Sequence, residues 1–280
     1  MQKKWYRLDT AALIFPAVAR RDWSNAFRVS AALNENITPD ILQQAVNDLQ
    51  PRFPSFFVTL RKGFFWYYLE ESSQAVTVQK DYAYPLTFMS KKELRNNCLR
   101  VLYYNNRIAV EIFHSLTDGR GGIIFLCNLI ARYLELRYGI KIPKDGLIRD
   151  PDEPPRPEEL EDSFLKNAAD ASLKRKTIPS YRMYGTPEDH GFKTLTTGIM
   201  ETSALLNLAH EYHVTVTALL AAVMVESIIG IQNEELSKKH QRPVRVTIPV
   251  DLRKFYGSQT LRNFVLVLNV GVDPGYGDHT

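Results

Sequence analysis

Cysteine is scarce in this chain, with only Cys98 and Cys127 in 280 residues. Their spacing matches neither a metal-ligand pair nor a disulfide framework, so the sequence points to a reducing, cytoplasmic compartment and to two core thiols. An excess of one charge is also missing. The formal net charge is +4, drawn from scattered cations such as Arg20-Arg21, Lys91-Lys92 and Lys174 to Lys176, which is too weak a footprint for nucleic-acid binding. A mild basic bias would suit an anionic partner such as a coenzyme's phosphates, although ordinary solubility is the better explanation of it. Long hydrophobic runs are lacking too. The N-terminal stretch Met1 to Arg7 has no signal-peptide pattern. The most apolar later run, Ala218 to Val225, is too short for a bilayer and meets Glu226, so no membrane span is expected. No internal repeat or low-complexity tract is visible. What is present is a globular composition, 45% hydrophobic and 24% charged, with 14 Tyr and 14 Phe that suggest a thick core or an apolar cavity.

Patterning predicts a mixed α+β chain. Thr38 as N-cap and Pro39 at the first helical position open a helix with Ile41, Leu42, Ala45, Val46 and Leu49 on one face. Two hairpins follow: Phe56 to Leu60 turning into Phe64 to Leu69, and Leu99 to Tyr104 turning at Asn105-Asn106 into Arg107 to Phe113. In the last strand Ile108, Val110 and Ile112 share a face, and alternation places His114 on the same side. After Asp118-Gly119 comes a helix with Ile123, Ile124, Cys127, Ile130, Ala131 and Leu134 opposite polar Asn128, Arg132 and Glu135, closing at Gly139. Arg149 to Asp162, rich in proline and acid, reads as a surface linker with a short helix near Glu158. Beyond it the pattern predicts a strand over Lys193 to Met200, a helix over Ser203 to Tyr212, and a buried all-apolar helix from Thr215. Strands over Pro243 to Pro249 and Asn263 to Val272 complete it. The division expected is 1–150, a linker over 151–190, and 191–280.

His114-Ser115-Leu116-Thr117-Asp118-Gly119 is the segment that carries chemistry. Acyl transfer from a thioester needs a base that takes the nucleophile's proton, and a neutral imidazole held rigidly at a strand end suits that task. The same residues also fit a satisfied core histidine followed by an ordinary Asp N-cap. A metal site is not expected, because no third ligand stands nearby. His210 and His213 read as surface residues.

The segment resembles the His-x-x-x-Asp-Gly motif of the chloramphenicol acetyltransferase-like superfamily, which includes alcohol acetyltransferases and condensation domains. Phe113 stands where many members carry a second histidine, as in single-histidine alcohol-acetyltransferase-like branches. Tyr6-Arg7-Leu8-Asp9 through Ile14-Phe15-Pro16 is similar to the entry of bacterial members. Ile248-Pro249-Val250-Asp251-Leu252-Arg253 is similar to their arginine-bearing strand, and Thr260-Leu261-Arg262-Asn263-Phe264 through Asn269 to the segment beside their channel.

The resemblance implies a two-layer sandwich of mixed sheet and helices, with residues 1–150 forming the N-terminal half and 191–280 the start of an incomplete second half. It further implies His114 as general base and Asp118 turned away to pair with Arg253 as structural support. Gly119 would permit the turn and offer its N–H to an oxyanion, and Asn263 would lie at the channel. No bound cofactor is implied; acyl-CoA or an acyl carrier protein would be the thioester co-substrate, and an alcohol or amine the acceptor. The alternatives are a condensation-type amide-bond former between carrier proteins and a non-catalytic binding or scaffolding relative.

Overall fold

The computed structural model describes residues 3–20, 23–168, 179–186, 188, 192 and 194–273. In chain order its elements are β1 (Trp5–Arg7), α1 (Ile14–Val18), β2 (Ala26–Ala32), α2 (Pro39–Leu49), β3 (Val58–Lys62), β4 (Tyr67–Glu71), β5 (Val78–Lys80), α3 (Lys91–Leu94), β6 (Leu99–Tyr104), β7 (Arg107–Phe113) and α4 (Gly119–Tyr138). Then follow α5 (Pro157–Leu160), α6 (Ser163–Lys166), α7 (Thr202–Glu211), α8 (Val216–Glu235), β8 (Val244–Asp251), α9 (Arg253–Tyr256) and β9 (Val265–Val272). Packing divides the chain into two units. One comprises Met1–Ala169, Asp189–Lys193 and Asp251–Val265, the other Asp170–Glu188, Thr194–Val250 and Leu266–Thr280.

In the first unit, β2, β7, β6 and β5 form a mixed sheet in that order, antiparallel except for β5 beside β6. Every residue of β7 from Ile108 to Phe113 is buried, which explains its nearly unbroken apolar run. Its one carboxylate, Glu111, is matched by Arg28 at 2.8 Å and Arg100 at 2.9 Å. Helix α4 packs on β2 and β7 and against α2. Close packing is enforced by Gly122, where an added Cβ would stand 2.7 Å from the Phe27 ring. Phe125 on α4 stacks on Phe56 with centroids 4.6 Å apart and anchors an aromatic cluster with Phe53 and Phe57. A second, antiparallel sheet has the order β1, β4, β3.

Several expectations change. The first hairpin runs from Val58–Lys62 to Tyr67–Glu71 around Gly63 to Trp66, because Phe56 belongs to the aromatic cluster rather than to a strand. Asn128 is buried, not on a polar face: its amide donates to the carbonyls of Ile124 and Leu147 and accepts from the Arg149 N–H. The proline-rich segment does contain a helix, α5, but it is tied down. Glu159 is 1% exposed and receives both Nη groups of buried Arg52, at 2.7 and 2.8 Å, since a buried guanidinium requires a counter-ion.

In the second unit, β8 and β9 pair and α7 contacts α8. Residues 194–200 form no strand, because among the described residues no neighbour pairs with them. The α8 helix continues through exposed Glu226 to Glu235, so it is long and apolar enough to cross a bilayer by length and composition, with a mean hydropathy of 1.6 over its most apolar window. It is not buried as expected. Only Leu219, Val225 and Gln232 are fully buried, since among the described residues α7 is the one helix in contact with it.

Candidate functional site

His114 follows the last residue of β7, and its N–H donates to the Asn25 carbonyl at 2.9 Å, continuing the β2 pairing by one step. Two rings hold the imidazole. Phe15 stacks on it with centroids 4.3 Å apart and planes 14° apart, and Phe27 stands tilted at 5.0 Å.

The Nδ1 atom of His114 lies 3.1 Å from Asn263 Oδ1. Asn263 donates through Nδ2 to the His114 carbonyl at 3.0 Å and to Asp9 Oδ2 at 3.2 Å. With its nitrogen committed to two acceptors, the amide presents oxygen to the ring, and Nδ1 of a neutral imidazole therefore carries the proton. Nε2 keeps the lone pair. Asp9 is fully buried; it also accepts from the Ala12 N–H at 2.7 Å and faces Arg262 at 3.6 Å. Burial pushes the Asp9 carboxyl above the ordinary aspartate range, opposed by Arg262, Asn263 and the Ala12 amide. The entry segment containing Asp9 is apparent in the sequence. The contact with Asn263, 254 residues away, is not.

Asp118 caps α4 by accepting from the Gly121 N–H at 3.2 Å. It also accepts from the Phe264 N–H at 2.9 Å and pairs with Arg253, whose Nη1 is 2.9 Å and Nη2 3.1 Å from its two oxygens. Arg253 is 5% exposed and donates further to the Thr260 carbonyl at 2.7 Å, to the Arg262 carbonyl and to Asp251. Guanidinium and carboxylate thus clamp the 114–118 loop to the 260–264 segment. Thr117 adds a hydrogen bond to the Leu261 carbonyl.

Gly119 begins α4, and a Cβ there would meet nothing within 4 Å. The backbone does not require glycine at this point, contrary to the turn role expected. What the missing side chain leaves is open space beside a first-turn N–H, which has no partner within the helix. The sterically compelled glycine is Gly121, where a Cβ would stand 2.5 Å from the Leu261 carbonyl oxygen. Cys98 is buried, which pushes its thiol up, and Cys127 is partly buried. His210 and His213 are exposed. Among the described residues no group of three His, Cys, Asp or Glu side chains is placed to hold a metal ion.

No protein-family model matches the sequence, and no curated protein does either. Solved structures do match. Polyketide synthase associated protein 5 from Mycobacterium tuberculosis aligns with 99% of this chain and 67% of its own, at 13% identity and a TM-score of 0.56. F. graminearum TRI101, complexed with coenzyme A and T-2 mycotoxin, aligns with 100% of this chain and 72% of its own, at 12% identity and a TM-score of 0.59. The first condensation domain of the calcium-dependent antibiotic synthetase aligns with 96% of this chain and 70% of its own, at 12% identity and a TM-score of 0.57. The chain therefore has the mixed α+β fold of the chloramphenicol acetyltransferase-like and condensation-domain proteins.

Proposed function

We propose that this protein transfers an acyl group from a thioester, acyl-CoA or an acyl carrier protein, to an alcohol or amine, with His114 as general base. The observation that carries this reading is the Nδ1 contact of His114 with Asn263 Oδ1 at 3.1 Å, which directs the lone pair to Nε2. In the reaction Nε2 takes the proton from the acceptor hydroxyl or amine as its oxygen or nitrogen bonds to the thioester carbon. The carbonyl oxygen gains charge beside the first-turn N–H of Gly119, at the positive end of α4. The carbon–sulfur bond then breaks, and the imidazolium returns the proton to the departing thiolate. Asp118 and Arg253 act by positioning the loop.

No cofactor takes part in this scheme; the thioester is a co-substrate. The coenzyme A complex of a structural neighbour supports that donor class, and condensation-domain neighbours keep an amine acceptor and a carrier-protein partner within the proposal. A chain with two unpaired cysteines suits the reducing cytoplasm.

The test is acceptor-dependent release of free thiol from acyl-CoA and acyl-carrier thioesters, with alcohols and amines in separate arms. His114→Ala is expected to lower turnover by about 10²–10⁴-fold with an unchanged melting curve. Thiol release by that variant at the wild-type rate would exclude the base, and no release by the wild type with any acceptor would favour a binding or scaffolding role.

A further inference from the structure

Three N–H groups converge on the buried carboxylate of Asp9. Its Oδ1 accepts from the Ala12 N–H at 2.7 Å, and its Oδ2 accepts from Asn263 twice, from Nδ2 at 3.2 Å and from the backbone N–H at 3.4 Å. The Arg262 Nε stands 3.6 Å from the same Oδ2. A side-chain turn onto Ala12 uses one oxygen, and a neutral asparagine would serve it without burying a charge. Donors on both oxygens call for a carboxylate, because an amide has a single acceptor oxygen and its NH2 would face an N–H.

Those two oxygens reach the two groups that hold the imidazole. Through Oδ1, Asp9 fixes the turn that leads into α1, and the Ser115 hydroxyl ties that turn to the motif by donating to the Ala12 carbonyl at 3.1 Å. Helix α1 carries Phe15, whose ring stacks on His114. Through Oδ2, Asp9 keeps the nitrogen of the Asn263 amide on its own side and the oxygen toward Nδ1 of His114. A carboxylate drawing on the amide N–H also makes the amide oxygen a stronger acceptor. Among the described residues the hydrogen-bond partners of Asp9 are all donors, which suits its ionised form. Burial pushes the carboxyl up, Arg262, Asn263 and the Ala12 amide oppose this, and the charge of Asp162 adds to the upward push.

We propose that Asp9 is a positioning residue for acyl transfer: acting through Asn263, its carboxylate keeps the proton of neutral His114 on Nδ1 and steadies the imidazolium formed when Nε2 takes the acceptor's proton. The proposal rests on His114 being the general base. No proton crosses the amide; the acid orients and polarises, as an aspartate does for a catalytic histidine, with an asparagine between them.

The test is ¹⁵N NMR of His114 together with steady-state kinetics. In Asp9→Asn the new NH2 faces either Ala12 or Asn263, so the Asn263 amide is no longer held one way round. Both neutral tautomers are expected, with kcat lower by about tenfold to a hundredfold and KM little changed. Adding Asp9→Asn to Asn263→Leu should lower kcat by less than about twofold further, because one residue acts through the other. Thr10→Val loosens the same segment by removing the hydroxyl bond to Asp162, and should keep the wild-type tautomer and kcat. A single Nδ1–H tautomer with normal kcat in Asp9→Asn would overturn the proposal, as would an undiminished further loss in the double variant. Should Asp9→Asn not fold, the wild type decides. Its Asp9 carboxyl ¹³C resonance is expected at the carboxylate position at neutral pH, beside one neutral His114 tautomer; a protonated carboxyl or mixed tautomers would overturn the proposal. These spectra need no substrate, so a wild type that turns over no thioester would count against the acyl-transfer reading and leave the tautomer result standing.

Discussion

The side-chain amide of Asn263 donates to Asp9 and to the His114 carbonyl, so only its oxygen is left to meet the imidazole. Removing that oxygen should release the tautomer. For Asn263→Leu, ¹⁵N NMR of His114 is expected to show both neutral tautomers, and kcat should fall about tenfold to a hundredfold with little change in KM. A single retained tautomer with normal kcat would assign Asn263 to packing alone. Arg253 is a second residue whose partners lie far apart in sequence. Arg253→Met leaves Asp118 buried without its cation, and urea unfolding should register a loss of about 3–5 kcal/mol. Asp118→Asn should cost less, because an amide oxygen still accepts from the Gly121 and Phe264 N–H groups. Asp118 is readable in the sequence as an N-cap. Its bonds to 253 and 264 carry no local signature, because they join segments more than a hundred residues apart.

Elements with strong local signals lie where patterning puts them. The β6–β7 hairpin matches its predicted bounds, with Asn105 at φ 49° in the turn, and α4 ends on Gly139 at φ 65° because the left-handed position favours glycine. Pro39 starts α2 as expected, while Thr38 makes no side-chain cap bond; its N–H is met by the Tyr133 hydroxyl instead. The α5 element shows what patterning misses. Its prolines and acids read as solvated linker, yet Glu159 is held by Arg52, and Arg149 also contacts it at 3.2 Å. Despite the opposing cost of burial, the hydrogen bonds and charges of Arg52, the Arg156 amide and Arg149 hold the Glu159 carboxyl below its ordinary value. The folded pKa is depressed, so the stabilisation is complete above the unfolded value, about pH 4.5, and is lost as pH falls through the lower folded value. Denaturant midpoints should therefore drop on acidification below that point, and Glu159→Gln should flatten this limb while lowering stability at neutral pH. An unchanged acid limb in the variant would move the acid sensitivity to other carboxylates.

Across the whole molecule, the two units differ in how much they bury. Among the described residues, the core cluster of thirty residues around Leu42, Val110, Phe125 and Leu129 lies in the first unit, whereas α8 exposes Leu220, Val223 and Met224 among others. Hydrogen exchange should follow this difference, with central amides of α4 protected longer than those of α8; equal protection would mean that α8 is covered in solution. The sequence alone determined the local grammar of this protein. Alternation sets the β7 strand, Asp118 and Gly139 delimit α4, and the His114 to Gly119 motif marks where chemistry would sit, because each depends on neighbours within a few residues. Tertiary structure alone decided that Asp9 joins Asn263 beside that motif, that Glu159 is buried against Arg52, and that an all-apolar helix is left largely uncovered among the described residues; the Asp118–Arg253 pair was implied by the resemblance and by no local pattern. Those outcomes depend on which distant segments pack together, and hydrophobic burial and ion pairing choose partners by position in space, which a linear pattern does not encode.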